Sequence, residues 1–133
     1  MAKFLEPNTL VEKTHDVKEI TLLCKIVSQF VEVLIVTMGD KGVITVTKNI
    51  NNKNETHNKI LEVRSYTVHK LNNVDNVSGA GDCFASGFVH GVLLGYSEPY
   101  CVSLGFEAAK SALLCESTVP PEFQIPSNMI DRL

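Results

Sequence analysis

The chain has no excess of charge of either sign, no long apolar run and no paired-cysteine motif, and each absence removes a class of function. Its 12 Lys and Arg stand against 15 Asp and Glu, a formal charge of −3. That leaves no basic excess to attract nucleic acid or anionic lipid. The longest apolar stretches, such as Val31 to Val36, are interrupted by Glu32 and fall far short of the ~20 residues a membrane span needs. Met1-Ala2-Lys3-Phe4-Leu5-Glu6-Pro7 lacks the apolar core of a signal peptide. The four cysteines, Cys24, Cys83, Cys101 and Cys115, form no Cys-x-x-Cys pair and have no supporting histidines. They read as buried, reduced thiols, which favours a cytoplasmic protein. Neither glycine turn leads into Gly-Lys-Ser or Gly-Lys-Thr, so a Walker-type phosphate loop is excluded. Gly79-Ala80-Gly81 lacks the third glycine of a dinucleotide-binding turn.

What is present fits one globular domain. At 133 residues, 44% hydrophobic and 20% charged, the chain can bury about two-thirds of its unfolded surface around one core. Lys3 to Asn8 reads as a short strand stopped by Pro7. Asp16 with Glu19 three residues on suits a helix start, and Val17, Ile20, Leu23, Cys24, Val27, Phe30 and Val31 recur at helical spacing, predicting a helix over 17–30. Val33-Leu34-Ile35-Val36-Thr37 is nearly continuous and β-branched, the pattern of a central strand covered on both faces of a parallel sheet. After the turn Met38 to Gly42, Val43 to Thr47 alternates as a strand. Lys48 to Lys59 is asparagine-rich and reads as a surface loop. Leu61 to Arg64 and Tyr66 to Leu71 alternate as edge or hairpin strands. His69 and His90 sit where solvent-facing or flanking side chains are expected. Ser97 and Pro99 open a last helix running through Val102, Phe106, Ala109, Ala112 and Leu113 to about Cys115. A tail with little pattern follows from Glu122 to Leu133.

The organising stretch is Asn76-Val77-Ser78-Gly79-Ala80-Gly81-Asp82-Cys83-Phe84-Ala85-Ser86-Gly87-Phe88, a loop that becomes a helix. Gly79 and Gly81 carry no Cβ, so the backbone can turn tightly and approach a ligand closely. A helix N-terminus adds unpaired N–H groups and a partial positive charge, which together suit a phosphoryl group. Asp82 is the odd residue beside such a site. A carboxylate there repels an anion unless it has a purpose, such as taking a proton from a nucleophile. Cys83, Gly87, Gly91 and Gly95, spaced by four, form a ridge of small residues against which a neighbouring element can pack closely, with Phe84, Phe88, Val92 and Leu93 expected to supply core contacts nearby.

This run closely resembles the second signature of the ribokinase-like, PfkB-type carbohydrate and nucleoside kinases, a variant of Asp-Thr-Thr-Gly-Ala-Gly-Asp-x-Phe before a small-residue helix. Thr37-Met38-Gly39-Asp40-Lys41-Gly42 is similar to the Thr-x-Gly-x-x-Gly turn that contacts ATP in that family, and it lies upstream in the family's order. The resemblance implies an α/β, ribokinase-like fold with a mainly parallel sheet, some antiparallel edge strands and flanking helices. It implies ATP-dependent transfer of a phosphoryl group to a hydroxyl of a sugar or nucleoside. Asp82 would be the general base, Gly79, Ala80 and Gly81 the anion hole, and Thr37, Gly39 and Gly42 the border of the nucleotide. Mg²⁺ would bridge the phosphates, and a monovalent cation, K⁺, would lie near Asn76 and Ser78.

Three residues depart from the family pattern. Asn76 replaces the acidic residue that usually opens the signature, which puts the cation site in question. Asn8 is followed by Glu12, one residue too far for the family's Asn-x-x-Glu motif. Glu107 stands before Ala108 and Ala109, where relatives often have Asn. The resemblance covers about residues 33 to 121 and corresponds to the C-terminal half of such kinases. The chain is accordingly expected to be a single partial kinase domain: 1–32 an N-terminal strand and helix, 33–121 the ATP-binding and catalytic-loop region, 122–133 a tail. It would work alone, work as a homodimer, or be a truncated, non-catalytic nucleotide-binding or interaction module. Ala109, Ala112-Leu113-Leu114 and Ser117-Thr118-Val119-Pro120-Pro121, with the Phe4-Leu5-Glu6-Pro7 start, look most like the pseudouridine kinase branch.

Overall fold

The computed structural model describes residues 16–50, 59–69, 71, 72, 74, 77–116, 119–122 and 125. The chain divides into two compact units, residues 1–67 and 68–133. In the first, helix α1 (Val17–Val27) starts at Asp16, whose backbone is extended and whose side-chain Oδ1 caps the helix by accepting the Lys18 N–H at 2.9 Å. Glu19 in its first turn and Lys25 in its last complement the helix dipole. α1 ends short of residue 30. The amides of Gln29 and Phe30 shift to acceptors three residues back, Ile26 at 3.2 Å and Val27 at 3.0 Å, which tightens the last turn and closes the helix. Phe30, expected on the buried face, is therefore 71% exposed.

Strands β1 (Val33–Thr37), β2 (Val43–Ile50) and β3 (Lys59–Tyr66) form a sheet in the order β1-β2-β3. Both pairings are antiparallel, with Leu34 opposite Val46 and Val46 opposite Val63. The α/β class stands, but the described strands depart from the expected mainly parallel sheet. The reason is connection length: Met38 to Gly42 alone joins β1 to β2, and a parallel crossover needs about a dozen residues or more. Nor is β1 central among them. It forms one edge, with Val33 56% exposed, while Val43, Ile44, Thr45 and Val46 of β2 are almost fully buried. Side chains alternate, so one face of the sheet presents Leu34, Ile44 and Val46 to Cys24 of α1, with Ile20, Val27, Val36, Met38, Leu61 and Val63 packed around them. Burying each such aliphatic side chain contributes about 1.5–3 kcal/mol.

The strand expected over Tyr66 to Leu71 is not formed; the ladder ends at Tyr66 and Thr67 to His69 carry no strand. Of the asparagine-rich loop, Lys48 to Ile50 belongs to β2 and Lys59 to β3, and the remainder lies outside the described residues. So do the expected strand at Lys3 to Asn8 and most of the tail.

The second unit holds helices α2 (Ala80–Leu93) and α3 (Glu98–Leu113). Gly95, at φ +76°, ends α2: its N–H reaches the Val92 carbonyl and that of Tyr96 the Gly91 carbonyl, both at 3.0 Å. These are the two bonds of a Schellman terminator, so Gly95 is not part of the packing ridge. Ser97 occupies the N-cap position of α3 and Pro99 its first turn as expected, but the Ser97 side chain makes no capping hydrogen bond. The helices pack antiparallel through glycine. A Cβ on Gly87 would lie 2.6 Å from the Leu104 carbonyl oxygen, one on Gly91 3.0 Å from Cys101 Sγ, and one on Gly105 2.6 Å from the Phe84 ring. Cys101, Leu104, Gly105 and Ala108 are buried along this seam beside Val102 and Ala112, whereas Val92 and Leu93, expected as core contacts, are exposed.

Candidate functional site

Two glycine turns carry the expected site residues, one in each unit. In the first, Thr37 ends β1 and Gly39–Lys41 form a single 3-10 turn before β2. Gly39 needs its freedom only for φ, which is +61°; a Cβ there would meet nothing within 4 Å. Gly42 has φ +93° and ψ −139°, and a Cβ would overlap the Tyr66 carbonyl oxygen of β3. The Met38 N–H donates to the Gly42 carbonyl at 2.8 Å and fixes the reversal. Gly42 is thus dictated by the sheet itself, whatever binds at the turn.

In the second, Gly79 sits in the left-handed region at φ +79° and N-caps α2. The Cys83 N–H donates to the Gly79 carbonyl at 2.9 Å, the bond that closes the first turn. Geometry leaves the amides of Ala80, Gly81 and Asp82 without acceptors inside the helix, at the positive end of its dipole. Gly81 is exposed, a Cβ on it would meet nothing within 4 Å, and its φ is not positive. Neither packing nor backbone conformation explains it. Glycine in a helix costs about 1 kcal/mol relative to alanine, so its place here fits a requirement for close approach by something outside the chain. Asp82, the third residue of the helix, is exposed, and among the described residues no hydrogen bond or ion pair engages its carboxylate. The Ser86 hydroxyl donates to the Asp82 backbone carbonyl at 2.9 Å, and Phe84 anchors the turn from inside against Gly105 and, at 5.5 Å between ring centroids, Phe106.

Ser78 is exposed, and Asn76 lies outside the described residues. No group of three or more His, Cys, Asp or Glu gathers to hold a metal ion among the described residues. All four cysteines are free; Cys24 and Cys101 are buried as expected, Cys83 and Cys115 only partly. Burial pushes the Cys24 and Cys101 thiols above their ordinary range, the carboxylate of Glu98 adding to the effect at Cys101. No helix among the described residues is long and apolar enough to cross a membrane. The sequence reading passed over Gly105, although a glycine amid the apolar positions of a helix is itself a sign of close packing.

Sheet, helices and turn together define an α/β protein with a helix N-terminus open to an anion. The chain belongs to the pfkB family of carbohydrate kinases, whose profile matches residues 5–124. Among solved structures, it is similar to a probable sugar kinase from Rhizobium etli CFN 42, at 28% identity and a TM-score of 0.61 over 82% of this chain and 28% of that one. It shares the fold of an adenosine kinase from Sinorhizobium meliloti, at 23% identity and a TM-score of 0.63 over 82% of this chain and 29% of that one. The chain therefore spans less than a third of either protein. Among curated proteins no significant match is found.

Proposed function

We propose that this chain is the nucleotide-binding, C-terminal part of a kinase that transfers a phosphoryl group from ATP to a hydroxyl of a sugar or nucleoside. The observation that carries the reading is Gly81, a helical glycine for which the fold supplies no reason and a close-lying phosphate does. The amides of Ala80, Gly81 and Asp82, with the dipole of α2 behind them, would stabilise charge on the transferring oxygens; donors fixed in advance need no reorganisation at the moment of reaction. The Asp82 carboxylate would accept the proton of the attacking hydroxyl, a contribution of typically ~100-fold to 10,000-fold. ATP would supply the γ-phosphoryl group, with ADP as the leaving group. Thr37, Gly39 and Gly42 would border its nucleotide portion. The described residues do not themselves build a magnesium site, so the ion would arrive on the phosphates, as Mg²⁺ commonly does in such enzymes. K⁺ beside Asn76 and Ser78 would complete the site, and a cytoplasmic setting suits free cysteines.

Within this proposal, residues 1–32, 33–121 and 122–133 are parts of one partial kinase domain, and pseudouridine is the acceptor to try first, ahead of ribose. Calorimetric titration of the 133-residue chain with Mg-ATP, with and without pseudouridine or ribose, tests it. Saturable binding that responds to an acceptor and, for the cation, tightens when Na⁺ is replaced by K⁺ is the expected result, whether from a monomer or a homodimer. A folded chain that binds no ATP would favour the second reading, a non-catalytic module derived from such a kinase.

A further inference from the structure

We infer that Gly105, on α3, is a positioning residue for the Gly79–Asp82 turn and acts through Phe84. The inference rests on the reading of that turn as a phosphate site, but its geometry stands without any ligand. Phe84 is one residue past the bond that closes the first turn of α2, Cys83 N–H to the Gly79 carbonyl. Its ring lies against the bare Cα of Gly105: a Cβ there would come within 2.6 Å of Cε2, 2.7 Å of Cδ2 and 2.9 Å of the Phe84 carbonyl oxygen. Both the side chain and the backbone of Phe84 are therefore held at a distance only glycine permits. The ring is 4% exposed and boxed in by Phe88, with centroids 6.2 Å apart, and Phe106 at 5.5 Å, so it has little room to yield. Because the Phe84 carbonyl oxygen is itself in the contact, a methyl group at Gly105 bears directly on the α2 backbone two residues from Asp82.

The other glycine contacts of the seam lie farther along α2. Gly91 is equally tight, against Cys101 Sγ at 3.0 Å and Cys101 Cα at 3.1 Å, but it is near the helix's C-terminal end and close to no residue of the turn. The two sites separate positioning from packing. A methyl group at either overpacks the same helix pair, and only the one at Gly105 bears on the turn.

The test is hydrogen exchange of the Cys83 amide in the ligand-free 133-residue chain, comparing Gly105→Ala with Gly91→Ala. Each rate is corrected for the variant's global stability in urea. Gly105→Ala should raise the corrected Cys83 exchange about tenfold, as expected when a local opening becomes easier, and Gly91→Ala should leave it within about twofold. Inorganic phosphate should then shift the Ala80, Gly81 and Asp82 amide resonances less in Gly105→Ala than in Gly91→Ala. Equal corrected exchange in the two variants would overturn the inference. If Gly105→Ala does not fold, Phe84→Leu against Phe88→Leu carries the same test: only the Phe84 variant should loosen Cys83, and equal effects would again overturn it. Phosphate that shifts no amide in any variant, with the exchange difference intact, would instead count against the phosphate-site reading and leave the positioning role standing.

Discussion

The two glycine turns look alike in sequence and answer to different masters in the structure. At Gly42 the protein itself forbids a side chain, because β3 brings the Tyr66 carbonyl into the space and the backbone lies where only glycine is comfortable. At Gly81 the protein forbids nothing. The first glycine is needed to make the sheet, whereas the fold itself gives no reason for the second. A glycine motif shared with a family therefore carries two kinds of information, and only the environment of each glycine separates them.

The largest expected effect comes from the charged residue of the open turn. Asp82→Asn in a complete kinase should cut turnover ~100-fold to 10,000-fold, the usual contribution of a positioned base. Its exposed side chain has no partner among the described residues, so the melting temperature should stay within a degree or two. Turnover unchanged in a well-folded variant would remove Asp82 from the chemistry. Next is Gly42→Ala, which adds a glycine-only backbone strain to overpacking against β3 and should cost about 3 kcal/mol of unfolding free energy. Urea denaturation reads this directly. A loss below about 1 kcal/mol would mean that the turn is more plastic than the Tyr66 contact implies.

The same contrast explains what was legible beforehand. Local chemistry was: Asp16 as N-cap, Ser97 and Pro99 opening α3, and the helix beginning at Gly79-Ala80 all depend on a few adjacent residues, and all are found. Long-range pairing was not. The unbroken apolar run of β1 suggests a strand covered on both faces, but nothing in the run says which strands lie beside it, and the short Met38–Gly42 link sets the antiparallel pairing instead. Helix phase failed for a related reason. On α2 and α3 the contact surface is built from Gly87, Gly91, Gly105 and Ala108, residues that hydrophobic periodicity undervalues, so Val92 and Leu93 were assigned to a core that the small residues occupy. The ridge of glycines was visible, whereas Gly95 joined it only by spacing and proves to be the terminator.

Gly81→Ala sharpens the comparison because its two effects should have opposite signs. Replacing a helical glycine in open space by alanine should stabilise the ligand-free chain by up to about 1 kcal/mol. The new methyl group would project where the phosphate must come close, and should weaken Mg-ATP binding about tenfold, a loss of about 1.4 kcal/mol. Urea denaturation and calorimetry on the same preparation measure both. Stabilisation without any loss of affinity would reduce Gly81 to an ordinary surface residue and withdraw the observation on which the functional reading rests.

The smallest effect compares the interiors of the two units, each of which encloses one thiol. Desolvation raises the pKa of Cys24 in the first and of Cys101 in the second above the 9.0 of an unburied thiol, with Glu98 adding to the shift at Cys101. In the unfolded chain both thiols ionise near that value, while in the folded chain they keep their protons, so the unfolded state binds fewer protons as pH rises. Their contribution to stability is therefore fully present below pH 9.0 and is lost as pH climbs through the folded-state values. Urea denaturation at pH 8 and pH 10 should show a larger fall for the natural chain than for the Cys24→Ala, Cys101→Ala double variant, whose remaining slope comes from other groups. The single variants apportion the difference between units. Equal slopes in all four proteins would mean that neither interior is closed to water in the way the burial of these two cysteines indicates.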